Sequence, residues 1–212
     1  MSDKLLFLYS IEEYVTYSLL GSGELRRKEL ANERGFSDWT ELYVSMLNRA
    51  ISERYRGKGF DVVFAKFNGH DLARGLNLED GDSVIDVGLD FKKHTTQRLG
   101  KYPYPKNSFI LKQVIPTDRL VVSGFHAWDC VEKLARFAHR KGVDVLVDED
   151  LTEFFPSLFL EDEFVFNSHP SANIMSYMKS RGREGDMPEF FTRARKNKPW
   201  LWLEYKNKAK YL

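Results

Sequence analysis

Cysteine is almost absent from this sequence, which has a single one, Cys130, among 212 residues. A lone cysteine excludes an internal disulfide framework and is typical of proteins kept in a reducing compartment. No apolar run approaches the roughly 20 residues that a membrane-spanning helix needs, and the first residues do not resemble a secretion signal. We therefore expect a cytoplasmic protein with no membrane partner.

An excess of charge of either sign is also missing. The 32 basic and 31 acidic residues give a formal net charge of +1, so composition makes no global argument for nucleic acid or membrane binding. Any such partner requires a local patch. The 42% of hydrophobic residues is enough for a substantial core. We expect one domain at residues 1–190 and a basic, aromatic extension at 191–212.

Short apolar runs alternate with helical periodicity along most of the chain. The period of 3.6 residues predicts helices at 39–55 and 127–141, the first opened by a capping box at Asp38 and Glu41. Apolar runs predict strands, and prolines predict an irregular connection at 101–116. The predicted strands are 5–9, 60–67, 82–87, 119–123 and 143–147, with a further candidate at 163–166. This rhythm predicts an α/β fold, a three-layer sandwich around a mainly parallel, doubly wound sheet.

Ligands of open parallel sheets bind outside the carboxyl ends of the strands. Geometry alone therefore selects the polar residues that follow the predicted strands. Tyr9, Ser10, Glu12 and Glu13 follow the first strand, and Asn68, His70 and Asp71 follow the second. Asp86, Gly88 and Asp90 lie around the end of the third, and His126, Asp129 and Cys130 follow the fourth. Asp148, Glu149 and Asp150 follow the fifth strand, and such an acidic run is more typical of a solvated strand end than of a cation site.

Cys130 lies in the first turn of the predicted helix at 127–141. A thiol there meets unpaired backbone N–H groups and the positive end of the helix dipole. Both favour the thiolate, the form that acts as a nucleophile. A buried, inert cysteine is the alternative.

The segment from Gly124 to Thr152 resembles the nucleophile region of the isochorismatase-like cysteine hydrolases. Gly124 precedes Cys130 by six positions, Val131 follows it, and the next strand ends in acidic residues near Thr152. The resemblance implies an isochorismatase-like, Rossmann-like fold and a homo-oligomer. It also implies a cysteine hydrolase that cleaves a C–N bond of a small metabolite through a thioester, with backbone N–H groups at the helix start stabilising the oxyanion.

Two of the family's three catalytic positions differ in this chain. Tyr9 stands where the family has an aspartate base, and Val87 stands where it has a lysine. Ala127 replaces the threonine three residues before the cysteine. Substitutes for the base are Glu12, Glu13, Asp86, Asp90 and His126, and substitutes for the cation are Lys92, Lys93 and Lys106. We predict catalysis by Cys130, His126, Asp86 and Glu12, and substrate binding by Tyr9, Ser10, Gly124, Ala127, Trp128 and Asp129.

Two other functions remain open. Loss of the aspartate and lysine predicts a catalytically silent member of the fold, kept for binding or as a scaffold. Alternatively, basic residues interleaved with Trp200, Trp202 and Tyr205 in the extension favour single-stranded nucleic acid, although a packed terminal arm is the preferred interpretation. We expect a small-molecule ligand and neither a metal nor a cofactor.

Overall fold

Five strands form the centre of the protein in a computed structural model that describes residues 2–17, 24–160, 164–181, 193 and 195–201. The strands are β1 (Lys4–Leu8), β2 (Asp61–Asn68), β3 (Ser83–Asp90), β4 (Leu120–Gly124) and β5 (Val145–Thr152). They pair in the order β3-β2-β1-β4-β5, and every pairing is parallel. The predicted α/β fold with a doubly wound parallel sheet is confirmed.

Helices cover both faces of the sheet. They are α1 (Glu12–Tyr17), α2 (Glu24–Glu33), α3 (Trp39–Arg54), α4 (Phe91–Thr95), α5 (Asn107–Val114), α6 (Glu132–Arg140), α7 (Phe155–Leu158) and α8 (Ala172–Arg181). A π-helical turn, Ala127–Val131, leads directly into α6. The α5 and α6 helices contact each other, whereas α3 meets α7, where the Tyr43 ring lies 5.6 Å from that of Phe155.

The α3 helix forms where the periodicity predicts it, because both of its ends are capped. The Asp38 carboxylate accepts a hydrogen bond from the Glu41 backbone N–H at 2.8 Å. The Glu41 carboxylate in turn accepts one from the Ser37 N–H at 2.9 Å. A short 3₁₀ turn follows α3 and ends at Gly59, whose φ of 81° suits glycine. The predicted helix at 39–55 is therefore confirmed.

Two sequence expectations are wrong. The segment 101–116 is not irregular throughout, because α5 occupies its second half and buries Ile110, Leu111 and Val114. Its prolines flank the helix rather than break it, which is where proline is tolerated. Residues 164–166 form no strand, and position 163 lies outside the described residues.

The β5 strand runs five residues beyond its predicted end, and its acidic run is buried rather than solvated. The Arg54 guanidinium lies 3.2 Å from the Asp148 carboxylate and 3.0 Å from that of Asp150. The Tyr55 hydroxyl donates to Asp148 at 2.6 Å. A buried charge needs a partner, and these contacts allow the strand to continue inside the protein. The cluster is therefore structural.

The end of the described chain is attached to β5. The Val147 N–H donates to the Trp200 carbonyl at 2.9 Å, and Leu201 forms a parallel bridge with Val147. The Lys198 ammonium pairs with Glu132 at 2.6 Å. Trp202 and Tyr205, on which the nucleic-acid hypothesis for the extension depends, lie outside the described residues.

Membrane-spanning helices were sought among the described residues. None of the helices there is both long enough and apolar enough to cross a bilayer.

Candidate functional site

A crevice of about 830 Å³ opens at the carboxyl edge of the sheet. The strand order reverses between β1 and β4, and such a switch point is where doubly wound sheets bind ligands. Segments that follow β1, β3 and β4 provide the lining. The lining residues are Glu12, Glu13, Tyr14, Thr16, Phe91, His94, Thr95, Tyr102, Tyr104, His126 and Asp129.

Aromatic rings form most of the crevice wall. The Tyr14 ring meets the Phe91 ring edge-on at 5.3 Å, and the His94 ring lies 5.4 Å from that of Tyr104. His94 Nδ1 lies 2.7 Å from the Pro103 carbonyl, which only accepts, so this nitrogen carries the proton. Burial lowers the pKa of His94, and the imidazole is therefore neutral at pH 7. This aromatic part of the lining is uncharged and mostly apolar.

Carboxylates provide the polar part of the lining. Glu12 accepts a hydrogen bond from the Arg74 N–H at 3.0 Å, and Glu13 lies 2.8 Å from His70. Asp129 accepts from the Tyr104 hydroxyl at 2.9 Å and pairs with Lys133. Among the residues that the structure describes, the lining contains three carboxylates and neither lysine nor arginine. It therefore presents hydrogen-bond acceptors to a ligand.

Cys130 lies beneath the crevice rather than in its wall. The residue is only 5% exposed, and its thiol is 3.9 Å from a carboxylate oxygen of Asp129. Burial, together with the negative charge of Asp129, raises the pKa of Cys130 to about 12. The position at a helix start predicts the opposite direction, but loss of hydration outweighs the dipole at this depth. At neutral pH the group is a thiol.

Two of the backbone N–H groups at the helix start are already occupied. The Ala127 N–H donates to the Glu153 carboxylate at 2.5 Å, and the Val131 N–H donates to the His126 carbonyl at 3.1 Å. That expectation is wrong for Ala127, because its donor serves a protein carboxylate. Burial raises the pKa of Glu153, and His126 lies 4.0 Å from the same carboxyl group.

The turns after β1 and β4 form the floor of the crevice. Gly124 has a φ of 95°, and a Cβ there would overlap the backbone of Leu8. Tyr9 also has a positive φ, of 63°, and it is buried, as is Ser10. Gly124 is therefore required for the close approach of β1 and β4, and Ser10 does not line the crevice.

The structure brings together only some of the predicted site residues. Glu12, His126 and Asp129 line the crevice, with Tyr9 and Cys130 beneath it. Asp86 is not in the lining and pairs instead with Lys66 on β2 at 3.0 Å. Trp128 is also outside the lining, and its ring packs on Phe154 at 5.4 Å. The proposed substitute cations Lys92, Lys93 and Lys106 are exposed and do not line the crevice.

Sequence reasoning missed Lys133 and Tyr104. Lys133 pairs with Asp129 one helical turn earlier, and its ammonium lies 3.3 Å from the centre of the Tyr104 ring. The i, i+4 spacing of Asp129 and Lys133 was a visible signal. Tyr104 gave no comparable signal, because the proline-rich connection gives no period from which to place its side chains.

Comparisons with known proteins find similarity only among solved structures. No family model and no curated protein matches this sequence. Among solved structures, a candidate MAR1 ribonuclease from Leishmania major is 9% identical over 92% of both chains, with a TM-score of 0.44. An isochorismatase-like hydrolase from Alkaliphilus metalliredigens is 12% identical over 84% of this chain and 99% of its own, with a TM-score of 0.41.

A pyrazinamidase of Pyrococcus horikoshii, solved in complex with zinc, is 13% identical over 86% of this chain and 97% of its own, with a TM-score of 0.37. At these identities and TM-scores the neighbours carry no argument about site residues or chemistry. The fold rests on this chain's own strand order. One of these solved structures bears the name of the family that the segment around Cys130 resembles.

Proposed function

We propose that this protein binds a flat heterocyclic ligand in the crevice and does not use Cys130 as a nucleophile. In this proposal it is a catalytically silent relative of the isochorismatase-like hydrolases. The observation that carries the proposal is the separation of thiol and crevice: the rings and carboxylates face the cavity, whereas Cys130 is 5% exposed and absent from the lining.

The state of the thiol supports a silent site. With a pKa of about 12, the thiolate fraction at pH 7 is on the order of 10⁻⁵. Tyr9 occupies the place of the family's base, and burial raises its pKa well above the usual range. It therefore accepts no proton from the thiol at neutral pH.

The lining supports the ligand class. Tyr14, Phe91, Tyr102 and Tyr104 offer faces and edges for stacking, and Glu12, Glu13 and Asp129 offer acceptors. A flat ring that carries N–H donors satisfies both features at once. An aliphatic ligand leaves the rings unused, and a negatively charged group inside the crevice would meet the three carboxylates.

Adenine and nicotinamide are suitable probes, followed by saturation-transfer NMR. We expect at least one of them to bind, Tyr102→Ala to weaken its binding severalfold, and Cys130→Ala to leave it unchanged. Phe137→Ala on α6, which removes a ring outside the lining, is the matched control. Failure of both probes to bind, or equal effects of the two ring deletions, contradicts the proposal.

A second candidate function is hydrolysis by a relocated triad. Asp129 lies 3.9 Å from the thiol and pairs with Lys133, so a carboxylate and an ammonium lie beside Cys130 as substitutes for the missing base and cation. The reaction requires the buried thiol to become accessible to the substrate, since Cys130 is only 5% exposed. Release of ammonia from nicotinamide, abolished by Cys130→Ala and by Lys133→Met but not by Lys141→Met, would establish this function in place of the first.

A further inference from the structure

We propose that the crevice and the segment 91–112 beside it bind single-stranded nucleic acid. The inference rests on the proposed function, because the crevice holds a base, and it deepens that function by naming the ligand class. It concerns a surface different from the C-terminal extension.

The segment is strongly cationic although the whole protein is nearly neutral. Residues 91–112 contain six basic side chains and no acidic one. All six are exposed, and none forms an ion pair with any residue that the structure describes. They are Lys92, Lys93, Arg98, Lys101, Lys106 and Lys112. Unpaired, exposed cations along one segment are what phosphate binding requires.

Exposed rings come from the same segment. Tyr102 is 49% exposed and Tyr104 42%, and both line the crevice. Phe109 on α5 is 46% exposed. Base stacking on such rings is worth about 1–3 kcal/mol per base and is independent of base identity. The segment therefore combines the two features by which proteins bind unpaired strands.

The placement of the rings favours a nucleic-acid strand over a lipid surface. Tyr102 and Tyr104 border a concave cavity, which a base can enter, rather than projecting from a convex tip. Backbone hydrogen bonds of 2.8 and 2.9 Å close the turn between Arg98 and Lys101. Leu99 is the one large apolar side chain that this turn exposes. One leucine is a small anchor, whereas a stacked base uses the whole wall.

The carboxylates of the crevice fit the same ligand. Glu12, Glu13 and Asp129 lie inside the cavity, where they accept hydrogen bonds from the amino and imino groups of a base. The cations lie outside the lining, and in this proposal they bind the phosphates of the strand. A duplex stacks its base faces and pairs their Watson–Crick edges, so the proposed ligand is single-stranded.

Fluorescence anisotropy with a labelled oligonucleotide of about 12 nucleotides tests the inference. Oligouridine and oligothymidine are both tested. Both present pyrimidine bases on a phosphate backbone, and the comparison distinguishes RNA from DNA. We expect the triple variant Arg98→Glu, Lys101→Glu, Lys106→Glu to bind at least about tenfold more weakly and to lower the salt slope by about 2. The triple variant Arg140→Glu, Lys141→Glu, Lys179→Glu, with the same charge change elsewhere, should bind normally.

Stacking is tested separately. Tyr102→Ala should weaken oligouridine binding about tenfold, and an abasic strand of equal length should lose at least that factor. Equal binding by both proteins and both strands would overturn the inference that a base enters the crevice.

Other outcomes separate the two proposals. If adenine binds in the crevice but neither oligonucleotide binds, the nucleic-acid inference is overturned and the proposed function stands. Oligonucleotide binding that the Arg98, Lys101 and Lys106 substitutions leave unchanged also overturns the inference. Binding to phosphatidylserine vesicles without binding to either strand would identify a lipid surface instead.

Discussion

The buried side chains of Tyr9 and Cys130 lie close enough beneath the crevice for each to shift the pKa of the other. The Tyr9 ring is held there by Phe67, at 4.6 Å between ring centres, and by Tyr14, at 5.9 Å. Burial raises the pKa of both Tyr9 and Cys130, so neither is charged at neutral pH. The pair is therefore a neutral packing contact at the place where the resembling family has a carboxylate beside its nucleophile.

Gly124→Ala should destabilise the fold strongly. A methyl group at this position overlaps the Leu8 backbone, which cannot move without separating β1 from β4. We expect a loss of more than about 3 kcal/mol in the free energy of unfolding, measured by urea denaturation. Gly142→Ala is the matched control, since its φ of 78° is similar and nothing lies within 4 Å of the added methyl group. It should lose only about 1–2 kcal/mol, and equal losses would contradict this account of Gly124.

Arg54→Met should be costly because it leaves Asp148 and Asp150 buried without their cation. The expected loss is about 3–5 kcal/mol in the free energy of unfolding. Arg54→Lys should recover only part of it, since one ammonium cannot replace a guanidinium that bridges two carboxylates. Lys66→Ala removes an exposed pair with Asp86 and should cost less than about 1 kcal/mol. An Arg54→Met protein as stable as Lys66→Ala would show that the cluster is dispensable.

Stability should fall as the pH rises from about 5 to 8. Burial raises the pKa of Glu149 from 4.5 to about 7, and its Oε1 has no hydrogen-bond partner. Between these values the folded state binds more protons than the unfolded state, so the free energy of unfolding decreases with increasing pH. Thermal denaturation at several pH values checks the slope. Glu149→Gln should make the slope shallower, and Asp80→Asn, at an exposed acidic residue, should leave it unchanged; an unchanged slope in Glu149→Gln would contradict the assignment.

The sheet could be read from the sequence because its signals are local. A continuous apolar run such as 5–9 is typical of a strand that is buried on both faces. The cap at Asp38 likewise acts within one helical turn. The prediction failed where distant partners decide. The β5 strand continues through Asp148 and Asp150 only because Arg54, on another element, meets their charges.

The candidate site was predicted less completely. The edge of the sheet follows from topology, and Glu12, His126 and Asp129 were found by that rule. The protonated state of the Cys130 thiol could not be predicted by that rule. A helix start favours the thiolate, but no local pattern shows how deeply the rest of the fold buries the thiol. The sequence shows the cationic segment 91–112 as a stretch without acidic residues. It was missed because the near-zero net charge of the whole chain gave no reason to look for a local basic patch.

The most direct test of the central claim is the rate of Cys130 alkylation by iodoacetamide as a function of pH, with the native protein. The single cysteine makes the signal unambiguous, and the unfolded protein in urea gives the rate of a free thiol. We predict negligible alkylation of the native protein up to about pH 9 and a normal rate after unfolding. Rapid alkylation of the native protein with an apparent pKa below about 7 would contradict the silent site and favour the relocated triad of Asp129 and Lys133.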